Sequence, residues 1–415
     1  MLVLISFFFA LWAPFEPFLR TRETAIEFFL SICIQIIPDP DSTPRNWCES
    51  DIIKTSLLVP SPARSVAFDV LRQVERGGYA ADLLFTLSAP LDSRDAGLAS
   101  EIALGVLRYQ SQLDFLIERY SGRSAARLDP EVRIALRMGV YQLRYLERVP
   151  AHAAIHESVD LVKLARKRSA AGFANAVLRK VDRQPVAWPS REIELAHPGW
   201  LLERWDRQFG PDAATAIALA NLERPETYKR GSRIQDIGAQ SIVPLLELSA
   251  GQTFLDLCAA PGNKTAQALE SGVRAVGCDF HWSRLAPMKA MGIDLVLLDA
   301  REPLPFRGSF DRILVDAPCT GTGTLAHNPE IKWRLRPAAI EELREIQRRI
   351  LRHALEALAP GGRLVYSTCS LEREENEDVV QGLDVKIVRR IPGRDAGDGF
   401  FAAVWDKLKH VPQQC

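Results

Sequence analysis

The stretch TFLDLCAAPGNKT at Thr253–Thr265 decides the fold of the second half of this 415-residue chain. It begins with a short apolar run, Thr253–Leu257, of the kind that forms a buried strand. Gly262 and Asn263 follow, and these are the residue types that best tolerate a positive φ angle in a tight turn. Thr265 is then predicted to begin a helix whose free backbone amides face the turn. This order of strand, turn and helix predicts one unit of an open α/β sheet.

Strands and helices continue to alternate after this unit. Four further apolar runs predict strands that a parallel sheet buries on both faces. They are Arg274–Cys278, Leu295–Leu298, Arg312–Val315 and Arg363–Ser367. The longest helical stretch runs from Pro337 to Leu358, and terminal strands are predicted at Val385–Arg389 and Phe400–Trp405. Residues 251–408 are therefore predicted to form a doubly wound α/β domain.

The turn after the first strand is the predicted cofactor site, because ligands of open α/β sheets bind beyond the carboxyl ends of the strands. The next three strands are each followed by an acid, namely Asp279, Asp299 and Asp316. Asp279 has the spacing of an acid that binds ribose hydroxyls, and Asp299 would then lie on the adenine side. A glycine turn alone also fits an ordinary βα connection, but the turn with three acids favours a nucleoside cofactor. The sequence contains no GKS or GKT phosphate loop, so S-adenosylmethionine (SAM) fits better than ATP.

We predict ten cofactor-binding residues in and around this turn. They are Cys258, Ala259, Ala260, Pro261, Gly262, Asn263, Lys264, Asp279, Asp299 and Asp316. Asp316 is placed to bind either the reacting base or the methionine end of the cofactor. Lys264 would hold the base or a backbone oxygen. Cys258 and Cys278 are interpreted as pocket lining.

Two cysteines follow neighbouring predicted strands, Cys319 in Asp-Ala-Pro-Cys and Cys369 in Ser-Thr-Cys-Ser. A single cysteine at a strand end is usually a small buried hydrophobe. Two that face the same cofactor turn favour chemistry, because a thiolate is a good nucleophile and cysteine holds some thiolate at neutral pH. His327 is interpreted as a loop contact rather than a general base.

The first half has a different pattern, with helical apolar spacing throughout Ser61–Asp182. The chain has 52 basic and 52 acidic residues, so nucleic-acid affinity would have to come from local patches. Residues 61–185 carry 19 basic and 14 acidic side chains, with basic clusters at 119–127 and 163–168. These clusters fit either solvated helix faces or a phosphate-contacting surface. We predict a helical bundle over residues 61–185 and a linker, partly helical at Pro198–Glu223 and Ile234–Leu248, over residues 186–250.

Residues 1–60 are predicted to be an extension outside the fold. The apolar run Met1–Pro14 also suggests a membrane-associating helix or an export signal, but it lacks a positive leading segment and a clear cleavage site. The seven cysteines include no CxxC pair, which favours free thiols over a zinc cage or disulfides and indicates a reducing, cytoplasmic compartment. No metal site and no stable membrane association are expected.

Five stretches resemble the Sun/RsmB family of ribosomal RNA cytosine-C5 methyltransferases. They are LDLCAAPGNKT, DRILVDAPCTGTG, NPEIKWR, LVYSTCSLEREENE and GDGFF. The helical part is similar to the RNA-binding fold of the NusB antitermination factor through VPAHAAIHESVDLVKLAR and GFANAVLRKV. The likeness covers Ser61–Asp182 and His197–Trp405.

The resemblance implies an all-α NusB-like bundle followed by a class I SAM-dependent methyltransferase domain. It implies methylation of C5 of a cytosine in small-subunit ribosomal RNA, by a monomer, with Cys369 as nucleophile and Cys319 as the releasing thiol. Pairing a nucleophilic thiol with SAM makes chemical sense, since C5 becomes nucleophilic only after a thiolate adds to C6.

The chain departs from the family pattern in three places. Asn263 replaces a second glycine, which we expect to be tolerated in a left-handed conformation. Arg230 runs almost directly into Ile234, where the family carries a small α/β module that helps to hold RNA, and the connection Gly382–Ile391 is short. Two rival functions therefore stay open. One is a non-catalytic RNA-binding or assembly protein with a degraded methyltransferase domain, and the other is methylation of DNA or protein.

Overall fold

The computed structural model describes residues 60–408, so the predictions for the N-terminal extension lie outside the described residues. Seven helices form the first part of this range. They are α1 (Pro62–Val74), α2 (Ala80–Leu87), α3 (Ser93–Arg108), α4 (Gln110–Ser121), α5 (Pro130–Tyr145), α6 (Ala151–Leu164) and α7 (Ala171–Leu178). No helix among the described residues is long and apolar enough to cross a bilayer.

The helical part is a bundle with one apolar core. The predicted stripes are buried in it, including Leu113, Leu116 and Ile117 of α4. Helices α3 and α5 approach closely at Gly105, where a Cβ atom would lie 2.0 Å from the Tyr141 ring. Only glycine fits at that crossing, because a side chain there would force the helices apart.

The linker differs from its prediction. Two helices, α9 (Gly199–Phe209) and α10 (Pro211–Ala220), take the place of the single helix predicted over Pro198–Glu223. A short helix, α8 (Arg191–Glu194), precedes them. The break falls at Gly210, whose φ is 85°. Glycine adopts that angle without a Cβ penalty, so the chain turns there.

The predicted helix Ile234–Leu248 is wrong. Its place is taken by the hairpin β1 (Lys229–Arg230) and β2 (Arg233–Ile234), the short helix α11 (Ile237–Gln240) and a 3₁₀ turn at Val243–Leu246. Pro244 lacks the amide that a continuing helix needs, and the apolar residues of the turn pack on the sheet instead.

The second part is a seven-stranded sheet, as predicted. Its strands are β3 (Thr253–Asp256), β4 (Arg274–Asp279), β5 (Asp294–Leu297), β6 (Phe310–Asp316), β7 (Leu358–Thr368), β8 (Lys386–Arg390) and β9 (Phe400–Asp406). Their order is β5-β4-β3-β6-β7-β9-β8. The first five are parallel, and β9 pairs antiparallel with both β7 and β8. The strand order reverses between β3 and β6, so the ligand-binding edge lies at the carboxyl ends of these central strands.

Three short helices and one long helix complete the second part. They are α12 (Asn263–Leu269), α13 (Trp282–Leu285), α14 (Ile331–Arg334) and α15 (Pro337–Ala357). The long helix matches its prediction to within one residue.

The segment around α14 joins the second part to the bundle through helix ends. Lys332 Nζ donates to the Arg108 carbonyl at 2.9 Å and Trp333 Nε1 donates to the Leu107 carbonyl at 2.6 Å, both at the end of α3. Arg334 donates to the Val74 carbonyl at the end of α1 at 2.5 Å. These are carbonyls that a helix leaves without an internal partner, and the negative end of the α1 dipole favours the Arg334 cation.

An anion completes the junction. Glu330 accepts a hydrogen bond at 2.9 Å from the backbone amide of Ala80, the first residue of α2. Four of the five residues 330–334 therefore make hydrogen bonds to three helix ends, namely Glu330, Lys332, Trp333 and Arg334.

Candidate active site

The two predicted catalytic cysteines lie side by side. Asp316 and Ser367 are paired in register on the parallel strands β6 and β7, so Cys319 and Cys369 leave the sheet at the same edge. Their Sγ atoms are 3.3 Å apart, and both residues are partly buried. Two thiols at this distance can serve one small substrate group.

A buried carboxylate, Glu375, connects the two cysteine loops. Its Oε1 accepts from the Thr320 amide at 2.9 Å, and its Oε2 accepts from Ser370 Oγ at 2.5 Å and from Thr320 Oγ1. Gln347 donates to Oε1 at 3.0 Å. Burial raises the pKa of Glu375, and these hydrogen bonds oppose that shift. Sequence reasoning missed this residue, although it lies inside the quoted STCSLEREENE stretch.

The next charged pair at the site is Lys264 and Asp316, whose Nζ and Oδ2 atoms are 2.6 Å apart. Ser367 Oγ donates to the other carboxylate oxygen at 2.8 Å. Burial lowers the pKa of Lys264, but the charge and the hydrogen bond of Asp316 outweigh burial and raise it. Lys264 thus contacts a carboxylate rather than a backbone oxygen.

The cofactor turn has the predicted shape with one correction. Gly262 has a φ of 100° and caps α12, and a Cβ there would lie 2.4 Å from Met291 Cε. Asn263 is already the first residue of the helix, two positions earlier than the predicted start. It therefore needs no left-handed conformation, and the reason given for tolerating it was wrong.

The predicted acids lie along the same edge of the sheet. Asp279 Oδ2 accepts from the Ala260 amide at 3.3 Å, which ties the end of β4 to the turn. Asp299 is held by Arg301, with Nη2 2.6 Å from Oδ2. Cys278 is fully buried in the apolar core, so its interpretation as pocket lining is wrong.

These residues fit a bound SAM. The side chains of Ala259 and Ala260 are small enough for a ligand to approach the backbone of the turn, and the carboxylates of Asp279 and Asp299 lie at the ends of the neighbouring strands. Asp256 lies at the inner end of the turn, where Thr265 Oγ1 donates to its Oδ2 at 2.7 Å, and its Oδ1 has no hydrogen-bond partner among residues 60–408. Burial raises the pKa of Asp256 to about 7.

His327 is a loop contact, as interpreted. Its Nδ1 lies 2.9 Å from Asp398 Oδ1, and Asp236 is close by. Burial lowers the pKa of His327, but the hydrogen bond and charge of Asp398 outweigh burial and raise it. The three side chains come from the linker, the α14 loop and the turn before β9, so the cluster holds these segments together.

A doubly wound sheet with this turn, these strand-end acids and paired thiols defines a SAM-dependent methyltransferase, here joined to a helical bundle. The family model for the 16S rRNA methyltransferase RsmB/F matches residues 243–387, and the NusB family model matches residues 61–183.

Similar proteins agree with this class. Ribosomal RNA small subunit methyltransferase B of Cronobacter sakazakii is 31% identical over 420 residues, covering 82% of this chain and 97% of that protein. Its counterpart in Klebsiella pneumoniae strain 342 is 32% identical over 419 residues with the same coverage. The crystal structure of PH0851 shares the fold with a TM-score of 0.69 at 22% identity, covering 83% of this chain and 98% of that one.

The chain belongs to the RsmB/F family of 16S rRNA methyltransferases, and SAM is its cofactor. It is therefore an RNA methyltransferase. Because 82% of 415 residues is about 340, about 80 of the 420 aligned positions have no counterpart in this chain. That deficit agrees with the short hairpin β1–β2 where the family module was expected.

Proposed function

We propose that this enzyme methylates C5 of a cytosine in small-subunit ribosomal RNA, with Cys369 as nucleophile and Cys319 as the thiol that assists release. The observation that carries the proposal is the 3.3 Å separation of the two Sγ atoms next to the partly buried pair of Lys264 and Asp316. A single thiol would suffice for simple nucleophilic catalysis, whereas addition followed by elimination at one ring uses two groups.

The surroundings of the two thiols favour this division of roles. The hydrogen bond with Cys369, followed by burial, raises the pKa of Cys319 well above its ordinary value. Cys319 therefore stays protonated at neutral pH, and its Sγ lies 3.3 Å from that of Cys369. Lys264 adds a positive charge near Cys369. Because a thiolate is the nucleophilic form of cysteine, the raised pKa of Cys319 favours Cys369 as the nucleophile.

The steps on the base follow from this arrangement. The Cys369 thiolate adds to C6 of cytosine. The π electrons of the C5–C6 double bond then move to C5 and the conjugated ring atoms, so that C5 becomes nucleophilic. When bound, SAM supplies an electrophilic methyl group to that carbon. Cys319 then gives its proton to the departing Cys369 sulfur and takes up the C5 proton, and the electron pair of the C5–H bond restores the C5–C6 double bond as the C6–S bond breaks. Lys264 and Asp316 are placed to hydrogen-bond the base.

The cofactor is assigned to the turn and to the acids that follow the strands. We infer that Cys258, Ala259, Ala260, Pro261, Gly262, Asn263 and Lys264 line one side of it. Asp279 and Asp299 would bind the ribose and adenine groups, and Asp316 would bind near the transferred methyl. None of these roles needs a metal ion.

The other parts of the chain are assigned to RNA binding and its support. Residues 61–185 form the NusB-like unit, residues 186–250 the linker and residues 251–408 the methyltransferase domain. The substrate base has to be unstacked to reach the thiols. Ribosomal RNA as substrate places the enzyme in the cytoplasm, and we infer that it acts as a monomer.

One specific observation favours a second candidate function. The short hairpin Lys229–Ile234 stands in place of a module that helps the family to hold RNA. A protein that binds ribosomal RNA without methylating it would tolerate that loss.

Trapping of a covalent RNA adduct tests the proposal. Cys319→Ala, incubated with SAM and small-subunit ribosomal RNA, should accumulate a protein–RNA adduct that survives denaturing electrophoresis. Cys369→Ala should form none, and the wild type should yield 5-methylcytosine. The opposite pattern would exchange the two roles, and RNA binding without methyl transfer by the wild type would establish the non-catalytic function.

A further inference from the structure

We propose that His327 is a positioning residue for methyl transfer, and that its protonated ring holds the loop of Cys369 in place through Asp398. The inference rests on the proposed function for the role of Cys369. It concerns a residue outside the cofactor turn and the cysteine motifs.

A short series of contacts connects His327 to the loop of Cys369. The Nδ1 atom of His327 lies 2.9 Å from Asp398 Oδ1. The next residue, Gly399, donates its amide to the Gly323 carbonyl at 2.8 Å, and the Gly323 amide donates to the Cys369 carbonyl at 2.9 Å. Two backbone hydrogen bonds therefore connect the turn that carries Asp398 to the proposed nucleophile.

The backbones in this series are packed too closely to move independently. A Cβ atom on Gly323 would lie 2.5 Å from the Gly399 carbonyl oxygen and 2.8 Å from the Cys369 carbonyl oxygen. A Cβ atom on Gly399 would lie 2.7 Å from Leu371 Cδ2, two residues after Cys369. Because a close-packed interior transmits displacements, a shift of the Asp398 turn should reach the loop of Cys369.

The two carboxylates beside His327 need a positive charge. One nitrogen of His327 and one oxygen each of Asp236 and Asp398 all lie within 4.8 Å of one another. Asp398 is 8% exposed, and Asp236 Oδ2 is buried without a hydrogen-bond partner among the residues that the structure describes. Carboxylates at this distance repel each other unless a cation lies beside them. Protonated His327 supplies that charge, and neutral His327 does not.

The groups that face His327 also set its proton affinity. Burial lowers the pKa of His327, but the hydrogen bond and charge of Asp398, together with the charge of Asp236, outweigh burial and raise it. Arg108 of α3, which donates to the Ala326 carbonyl at 3.0 Å, opposes the two acids. The ring is therefore charged below its ordinary pKa of about 6.5 and loses its proton as the pH rises through the higher folded value. The loop should be held at low pH and released at high pH.

The pH dependence of single-turnover methyl transfer tests this role. His327→Arg keeps a positive charge at every pH, and the His327 side chain is 37% exposed, which leaves room for the longer guanidinium. The wild-type rate divided by the His327→Arg rate should fall about 10-fold between about pH 6 and about pH 9, as for a thiol displaced by roughly half an ångström. The ratio cancels the titration of the two thiols, which both proteins contain.

Two further variants support the same comparison. Asp398→Asn keeps the shape of the side chain but removes its charge, so the fall in rate should move to lower pH. His156→Gln is the matched control, because His156 Nδ1 lies 3.2 Å from Asp160 Oδ2 on α6 of the bundle. It should leave the rate and its pH dependence unchanged.

Hydrogen exchange followed by mass spectrometry measures the same contacts without RNA. The Gly323 and Gly399 amides should exchange about 10-fold faster in His327→Gln than in His327→Arg, because local opening exposes them. The cofactor turn, residues 258–264, should exchange equally in both variants.

A rate ratio that stays constant across this pH range would overturn the inference. Equal exchange of the two glycine amides in His327→Gln and His327→Arg would do the same. If the wild type forms no 5-methylcytosine, the proposed function is wrong, whereas hydrogen exchange still decides whether His327 holds the loop.

Discussion

Replacing Glu375 by glutamine should separate the placement of the two thiols from the binding of the cofactor. The carboxylate accepts hydrogen bonds from both cysteine loops, through Thr320 and Ser370. Glutamine keeps one oxygen but presents an amide N–H₂ group to two hydroxyls that now donate. Ser370 Oγ already accepts from the Glu372 amide at 3.0 Å, so it is poorly placed to accept again.

The magnitude follows from those contacts. Two hydrogen bonds to a charged group, each contributing about 1.5–3 kcal/mol, are lost or weakened. The loss is partly offset because the buried carboxylate no longer has to be ionised, as its raised pKa indicates. We expect a net loss of about 2 kcal/mol in the free energy of unfolding. A displacement of the thiols by about 1 Å should lower kcat about 100-fold.

Single-turnover methyl transfer, SAM titration and urea unfolding measure these three effects. Glu372→Gln is the matched control, since Glu372 is also buried and lies three residues earlier but contacts Arg204 and Trp205 instead of the cysteine loops. It should lose stability while keeping kcat. If Glu375→Gln retains kcat within about 3-fold, or if both variants lose it equally, the role assigned to Glu375 is wrong.

Three further predictions concern buried charges. Because the folded pKa of Asp256 is about 7 and the unfolded value about 3.9, the folded state binds the proton more tightly, so the free energy of unfolding should fall as pH rises from about 4 to about 7. Asp256→Asn should remove that slope and be more stable than the wild type at pH 8, by up to about 4 kcal/mol in urea titrations; equal slopes would contradict this. Burial, followed by the charge of Arg108, lowers the pKa of Lys332. Lys332→Met should therefore stabilise the protein by about 1–3 kcal/mol at neutral pH, measured as a rise in Tm. A fall in Tm would show that the hydrogen bond to the Arg108 carbonyl contributes more than the burial of the ammonium costs. Arg204→Met leaves Glu372 buried without its cation and should cost about 3–5 kcal/mol in urea unfolding; a cost below about 1 kcal/mol would contradict this.

The sheet was predictable because its signal is local. Each parallel strand is a short apolar run, and β6, for example, extends the predicted Arg312–Val315 by only two residues before and one after. The cofactor turn was equally accessible, since Gly262 marks a backbone conformation that few other residues adopt. The structure of the linker could not be predicted in the same way. The apolar spacing of Ile234–Leu248 fits a helix and a 3₁₀ turn packed on a sheet equally well, and only Pro244 distinguishes them.

The pairing of the thiols could be inferred, but the network around them could not. Cys319 and Cys369 follow strands that were expected to be neighbours, so their convergence follows from topology. Glu375 is charged and lies in a stretch rich in acids, which in a sequence is typical of a solvated surface. Its burial depends on Thr320, more than 50 positions away in the chain, and no local pattern contains that information.

The capture of three helix ends by residues 330–334 has a practical consequence for dissecting this enzyme. Cutting the chain between bundle and sheet would expose Trp333 to water and leave the carbonyls of Leu107, Arg108 and Val74 without their hydrogen-bond donors. Both fragments would therefore be destabilised. If a truncated protein failed to methylate RNA, that result would not show which domain binds the RNA. Single substitutions in the full chain separate RNA binding from stability more clearly.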